Sequence, residues 1–333
     1  MGTKDDGITL PCDLASLSGT LKVCSLEMVL LKAIRPQPII DTLAQDQACF
    51  FNAECAFSFR AHLTVPKNWC LLGYIHYTDR HSWCHGVTLA TGTAFTVLPD
   101  GDSELLLSAG TSLTVILLPL EQLEMKLAEI YPRHAGDLSC LHTLFHLSDT
   151  PSAQRLKTIY QNIRRYLTRS ELLGITNVPV TNKLDIDILL KGHLAASMAV
   201  TAEDLPGCSR GRRKHYLIVQ RVEQFMRTNL RNDIYINEMC DAAKISERAL
   251  RYAFEDLLGI SPNRYLSMLR LCTACRSLAS SDISRRSVKS VALSCGLWDL
   301  SRFADSYRRV FGELPHDTLM RTPMINSSPM SKS

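Results

Sequence analysis

The sequence predicts an α+β chain: an amino-terminal β-barrel or sandwich with helices, then an all-α region built on two helix-turn-helix units. Three observations lead there. Short runs rich in Phe, Tyr, Val, Thr and Leu occupy residues 49–119, the signature of several short strands. From Pro119 onward the apolar spacing becomes helical. Within the last 110 residues, one helix-pair pattern occurs twice.

In chain order, residues 21–46 form a mixed leading segment. The strand-like runs follow: "CFFNAECAFSF", "CLLGYIHY", "GVTLATGTAFTVLP", "SELLLSA" and "TSLTVILLP", separated by turn clusters such as "VPKN", "TDRHS" and "PDGD". "LEQLEMKLAEIY", "SAQRLKTIYQNIRRYL" and "DIDILLKGHLAASMAV" then carry helical periodicity and are expected to pack on the β unit or on a second subunit. Residues 1–202 are thus assigned to an effector-sensing and dimerisation domain. Residues 203–214 ("EDLPGCSRGRRK") are a linker, polar and interrupted by Pro and Gly. Residues 215–321 are a helical domain, and 322–333 a disordered tail.

The chain has 333 residues, 46% hydrophobic and 21% charged, which suits two globular domains. No apolar run approaches the roughly 18 residues of a membrane span, and the first twenty residues have neither the basic start nor the apolar centre of a secretory signal. Twelve cysteines are present, but Cys24, Cys240, Cys272, Cys275 and Cys295 sit in apolar patterns as small hydrophobes, so reduced thiols and a cytoplasmic location are expected. The net charge of +4 conceals an asymmetry. Residues 210–321 hold 20 Lys and Arg against 12 Asp and Glu, and the remainder holds 17 against 21. Positive charge gathers in the last third, where a polyanion would be met.

The duplicated pattern sharpens that expectation. In the first copy, Ile236–Gly259, Met239, Cys240 and Ala243 give one apolar face, Lys244-Ile245 the turn, and Ser246 the N-cap of a second helix. Leu250, Ala253, Phe254 and Leu257 point inward, leaving Glu247, Arg248, Arg251, Tyr252 and Glu255 outside. In the second copy, Val288, Val291, Ala292 and Cys295 form the first helix, Gly296-Leu297-Trp298 the turn, and Asp299 the N-cap. There Phe303, Tyr307 and Val310 face in, and Ser301, Arg302, Asp305 and Arg309 face out. Ser261–Ser280, with Pro262 at a helix start, reads as one helix joining the two. A helix fits the major groove of a duplex, and two helices on a stiff connector suit successive grooves about 34 Å apart.

These residues resemble the AraC/XylS family of transcription regulators. The likeness is carried by "S…L…F…LG.SP" over Ser246–Pro262, "LRL..A" in the joining helix, and "G…F…Y…FG..P" over Gly296–Pro315. "LCTAC" and "GLWDLSRFADSYRRVFGELP" are most similar to the branch containing the ethanolamine-operon activator. Position by position, the resemblance implies base contacts by Arg248, Arg251 and Tyr252 from the first reading helix, and by Ser301, Arg302 and Asp305 from the second. Asp305 suits this role only by accepting from cytosine; the expectation is that it orients Arg302 or Arg309 or does nothing. Arg264, Lys289, Arg308 and Arg309 are expected at phosphates. The resemblance also implies double-stranded DNA and RNA polymerase as partners, a small-molecule effector, and a homodimer. Departures fall at Lys244, where the family usually has Gly, at Cys240 for Ala, at Leu297 for Phe, and in "PHDTLMR", which lacks the usual Tyr-Arg; the first turn is expected to be strained or reshaped.

For the amino-terminal part, the β pattern is compatible with a cupin-like barrel. The narrower likeness implies ethanolamine, with a cobalamin, as effector, though no residue specifies it. His81, Cys84 and His85 are the densest group of ligand-type side chains, but their spacing matches no zinc signature; a turn with Trp83 covering a core edge is the expectation. Cys272 and Cys275 form C-x-x-C in mid-helix, where packing is expected over redox chemistry. No acid–base or metal constellation supports an enzyme, and no cofactor is expected.

Overall fold

A computed structural model describes residues 24–32, 39–99, 102–146, 150–172, 183–280 and 287–320. Residues 1–23 and the predicted disordered tail, 322–333, lie outside these ranges, so the tail assignment falls outside the described residues.

Two antiparallel sheets stand face to face. One has the order β1 (Ser25–Leu30), β4 (Phe59–Thr64), β9 (Asp102–Leu107), β6 (Trp83–Cys84), β7 (Val87–Thr88). The other runs β11 (Leu144–Phe145), β8 (Ala94–Val97), β5 (Trp69–Tyr77), β10 (Ser112–Pro119), β3 (Ala48–Glu54), β2 (Ile39–Gln45). Alternation along the strands fills the space between them: Leu71 and Ile75 of β5, Leu113 and Leu117 of β10, and Leu63 of β4 all point inward. Phe95 lies across Gly73, where any Cβ would overlap its ring at 1.9 Å.

The opposite faces are covered by helices. On the six-stranded sheet lie α1 (Leu120–Ile130), α2 (Pro151–Leu172) and α3 (Ile186–Met198), joined to Phe50, Leu72, Ile116 and Leu118 in one apolar cluster. The helical segments after Pro119 therefore pack on their own β unit. At the centre of that layer His193 is fully buried, bonded to Thr96 Oγ1 at 3.0 Å and Tyr160 Oη at 2.9 Å. Burial pushes its pKa down to about 3.

The five-stranded sheet is covered by the carboxy-terminal helices. These are α4 (Arg210–Thr228), α5 (Ile236–Ala243), α6 (Glu247–Leu258), α7 (Pro262–Ala279), α8 (Val288–Ser294), α9 (Leu300–Phe311) and α10 (Pro315–Met320). The residue run 210–214, read as the end of a linker, is the first turn of α4, capped by Ser209. Separate cores for the two halves are not what forms: Val29, Leu30, Ala61 and Trp83 of the sheet join Val222, Leu257, Leu269 and Phe303 in a single apolar cluster. Charged groups are buried at the same seam. Arg60 is fully buried and pairs with Glu104 at 2.6 Å and with Glu223 of α4; Glu223 also meets His62 at 2.9 Å and Arg227 at 2.9 Å. Burial raises the Glu223 pKa, but the Arg60 charge, the hydrogen bond to His62 and the Arg227 charge together outweigh that and hold the carboxyl well below the usual range. Leu30 N–H donates to Cys272 Sγ at 3.4 Å, so this cysteine is part of the seam. Among the described residues every cysteine is a free thiol, and no helix is long and apolar enough to cross a membrane.

The stretch read as a turn at residues 77–86 contains a two-residue strand. Trp83 and Cys84 pair with Leu106 and Leu105 of β9. Trp83 does more than cover a core edge: it is fully buried, and its Nε1–H donates to the Leu257 carbonyl of α6 at 3.0 Å. Cys84 turns into the sheet interior and His85 meets Tyr216, so this group is dispersed. No group of three or more His, Cys, Asp or Glu suited to a metal ion occurs among the described residues.

Candidate nucleic-acid interface

Each helix pair is built by local rules. Ser246 Oγ accepts from Ala249 N–H at 3.4 Å and starts α6; Asp299 Oδ1 accepts from Arg302 N–H at 3.0 Å and starts α9. Both helices end on a left-handed glycine, Gly259 and Gly312. Leu250, Ala253, Phe254 and Leu257 are buried in the first, and Phe303, Tyr307 and Val310 in the second, as the apolar spacing predicts.

The turns differ in chemistry. Lys244 adopts φ 55°, ψ 50°, the conformation that glycine takes without strain. The first turn is thus not reshaped by the absence of glycine; the lysine takes the left-handed geometry. In the second turn Gly296 sits at φ +70°, and a Cβ there would stand 2.5 Å from the Leu230 carbonyl oxygen. Only glycine fits. Arg270 of α7 donates from Nε to that same carbonyl at 3.3 Å and from Nη2 to the Asn232 carbonyl. The connector therefore ties the loop before α5 to the turn of the second unit.

All ten residues expected at DNA are exposed: Arg248, Arg251, Tyr252, Arg264, Lys289, Ser301, Arg302, Asp305, Arg308 and Arg309. Arg248, Arg251 and Tyr252 share one concavity of about 690 Å³ with Ser246 and Ser261, and Ser261 caps α7 by accepting from Arg264 N–H at 3.4 Å. Arg302, Arg308 and Arg309 stand on the exposed side of α9. Asp305 is exposed too and makes no ion pair with Arg302 or Arg309 among the described residues.

The structure adds three relations around these residues. Glu247 Oε1 accepts from Arg251 Nε at 2.8 Å and Nη2 at 2.6 Å, an i,i+4 pair visible in the sequence. His215 of α4 meets the Tyr252 ring edge-on at 5.2 Å and bonds Asp256 at 2.7 Å; no local signal announces a contact from another helix. Trp298, half exposed, precedes α9 and offers an apolar face beside its amino-terminal turn.

Comparison with known proteins agrees with this geometry. Residues 239–321 match the family described as "Helix-turn-helix domain". The XylDLEGF operon transcriptional activator 1 of Pseudomonas putida is 37% identical over 105 residues, 32% of this chain and 32% of its own length. The HTH-type transcriptional activator RhaS of Pectobacterium carotovorum is 29% identical over 97 residues, 29% of this chain and 34% of its own. A solved structure of a probable AraC family transcriptional regulator from Rhodopseudomonas palustris is 34% identical, covering 31% of this chain and 95% of that one, with a TM-score of 0.28. The carboxy-terminal region, over residues 239–321, matches a helix-turn-helix domain and is similar to part of these transcriptional activators. The match spans about a third of the length of these two curated activators.

Proposed function

We propose that the chain is a sequence-specific DNA-binding transcription regulator, acting as an activator, whose α6 and α9 enter successive major grooves on one face of the duplex. The observation that carries this reading is the exposure of Arg248, Arg251, Tyr252, Ser301 and Arg302 on two capped helices whose other faces are buried. Arg302 pairs with a guanine edge, and Arg248, Arg251, Tyr252 and Ser301 read or brace neighbouring bases. Arg264, Lys289, Arg308 and Arg309 neutralise phosphates, with RNA polymerase as the downstream partner and a homodimer as the assembled form. Asp305 serves only by accepting from a cytosine.

Control by a small molecule is the first reading of the amino-terminal half; control by a protein partner on the same fold is the second. Ethanolamine is the effector that the narrower sequence likeness suggests, and its ammonium group calls for a carboxylate in the binding site. A ligand-dependent change in operator affinity favours the metabolite, and dependence on a co-purifying protein favours the partner.

The test is a competition assay with Arg302→Ala on a selected operator and on random DNA. A loss of about 1–3 kcal/mol confined to the operator, with preference relaxed at one base, is expected. Equal loss on both DNAs removes Arg302 from base reading.

A further inference from the structure

The space between the two sheets holds little. Its cavity is about 50 Å³ and is lined chiefly by apolar side chains, Leu63, Ile75, Phe95 and Leu107 among them. A polar metabolite finds neither room nor hydrogen-bond partners there.

The outer face of the six-stranded sheet differs. Between β5 and the first half of α2 lies a cleft of about 730 Å³. Tyr74 and Phe145 supply aromatic surface, and His76, His146, Lys157 and Gln161 supply polar groups. Among the described residues no Asp or Glu lines it. The helix above repeats that bias: residues 151–168 contain Arg155, Lys157, Arg164 and Arg165 and no acidic residue. Lys157, Gln161 and Arg164 follow the i, i+4, i+7 spacing of one helix face. Arg164 acts on the cleft electrostatically: burial first, and then its charge, pushes the His76 pKa down to about 4.

One wall has an unmet polar group. His146 Nδ1 is buried with no hydrogen-bond partner among the described residues, while its backbone is fixed by a 3.0 Å bond from its N–H to the Asp204 carbonyl. Gly92, at φ +92°, lets the chain pass beside it; a Cβ there would lie 3.1 Å from His146 Cε1 and 3.8 Å from Tyr74 Oη. The histidine and the phenol therefore converge on one spot. His76, which also lines the cleft, has its Nε2 engaged with Thr114 Oγ1 at 2.8 Å.

We propose that this cleft binds a small organic carboxylate with an apolar body, the body against Tyr74 and Phe145 and the carboxylate toward Lys157, Gln161 and His146. A cationic metabolite of ethanolamine's class meets Lys157 there and no carboxylate among the described lining residues, so the cleft selects against it. Occupancy of the cleft stands on these residues alone; its meaning as a signal rests on the regulatory reading above.

The test is isothermal titration of the full chain with 3-phenylpropanoate and with 3-phenylpropylamine, which share a body and differ in charge. Lys157→Glu and Gln161→Glu are compared with the parent, and operator binding is measured separately. The carboxylate is expected to bind and the amine not, with affinity falling at least tenfold in either variant. No binding of the carboxylate to folded chain, equal binding of the amine, or affinity unchanged in both variants overturns the proposal. A chain that binds the carboxylate but no DNA keeps the cleft and overturns the regulatory reading; one that binds DNA but not the carboxylate does the reverse.

Discussion

The two helix-turn-helix units share a plan and differ in what supports them. The first, from Ile236 to Leu258, leans on the β-sheet through Trp83 and the Leu257 carbonyl and on α4 through His215 and Asp256. It carries three Lys and Arg against five Asp and Glu, and its Arg251 is already paired with Glu247. The second, from Val288 to Phe311, packs on α7 and α10 and carries four against two. One unit is braced and electrically muted; the other is positive and packs mainly on neighbouring helices. The comparison teaches that a duplicated motif need not duplicate its properties: the second unit carries the net positive charge that the proposed DNA reading would use, and the first is held in place by contacts to the β-sheet and α4.

The largest expected effect falls on the brace. Glu223→Ala removes a carboxylate from a fully buried arginine, and we expect a loss of about 3–5 kcal/mol in chemical denaturation, since Arg60 is left with a buried charge underpaired. Hydrogen exchange read by segment sharpens the point: protection is lost first in α4 and α6, with α9 retained. Equal loss in both units would mean that the brace is shared.

Next is the glycine that only one unit needs. Gly296→Ala forces a Cβ against the Leu230 carbonyl at positive φ, and a cost of about 2–4 kcal/mol in the thermal or chemical midpoint follows. A neutral outcome would show that the second turn is not fixed by the loop that Arg270 holds.

A smaller effect in energy separates the units electrostatically. Removing Arg308 and Arg309 together should flatten the dependence of log affinity on log salt by about 2, whereas Arg251→Ala should flatten it by less than 1 because Glu247 already offsets that charge. Smallest is Lys244→Gly, which relieves a left-handed lysine and should gain about 1 kcal/mol or less, reduced by the freedom glycine adds to the unfolded chain.

What could be read from the sequence follows from how far each interaction reaches. The caps at Ser246 and Asp299, the buried faces of α6 and α9, and the single connector from Pro262 are set by residues within a few positions of each other, so spacing alone exposes them. The exposure of the candidate DNA residues was legible for the same reason. The seam was not: Trp83 meets Leu257 across 174 positions and Arg60 meets Glu223 across 163. Nothing local marks Trp83 as the contact of the first helix pair; its surroundings support only a turn that covers a core edge. The carboxylate cleft is hidden similarly, because Tyr74, Gly92, His146 and Lys157 come from four separate segments. Lys244 is the instructive intermediate. Its departure from glycine was visible, and the turn kept the left-handed shape anyway, since the packing of α5 and α6 outweighs the preference of one residue.

The most direct test of the central claim is hydroxyl-radical footprinting of the full chain on a selected operator across a series of salt concentrations. Two protected segments about one helical turn apart on a single face of the duplex are expected, weakening steeply as salt rises and with the segment under α9 the more salt-sensitive. A single protected segment, protections on opposite faces, or equal salt response of both would contradict the account.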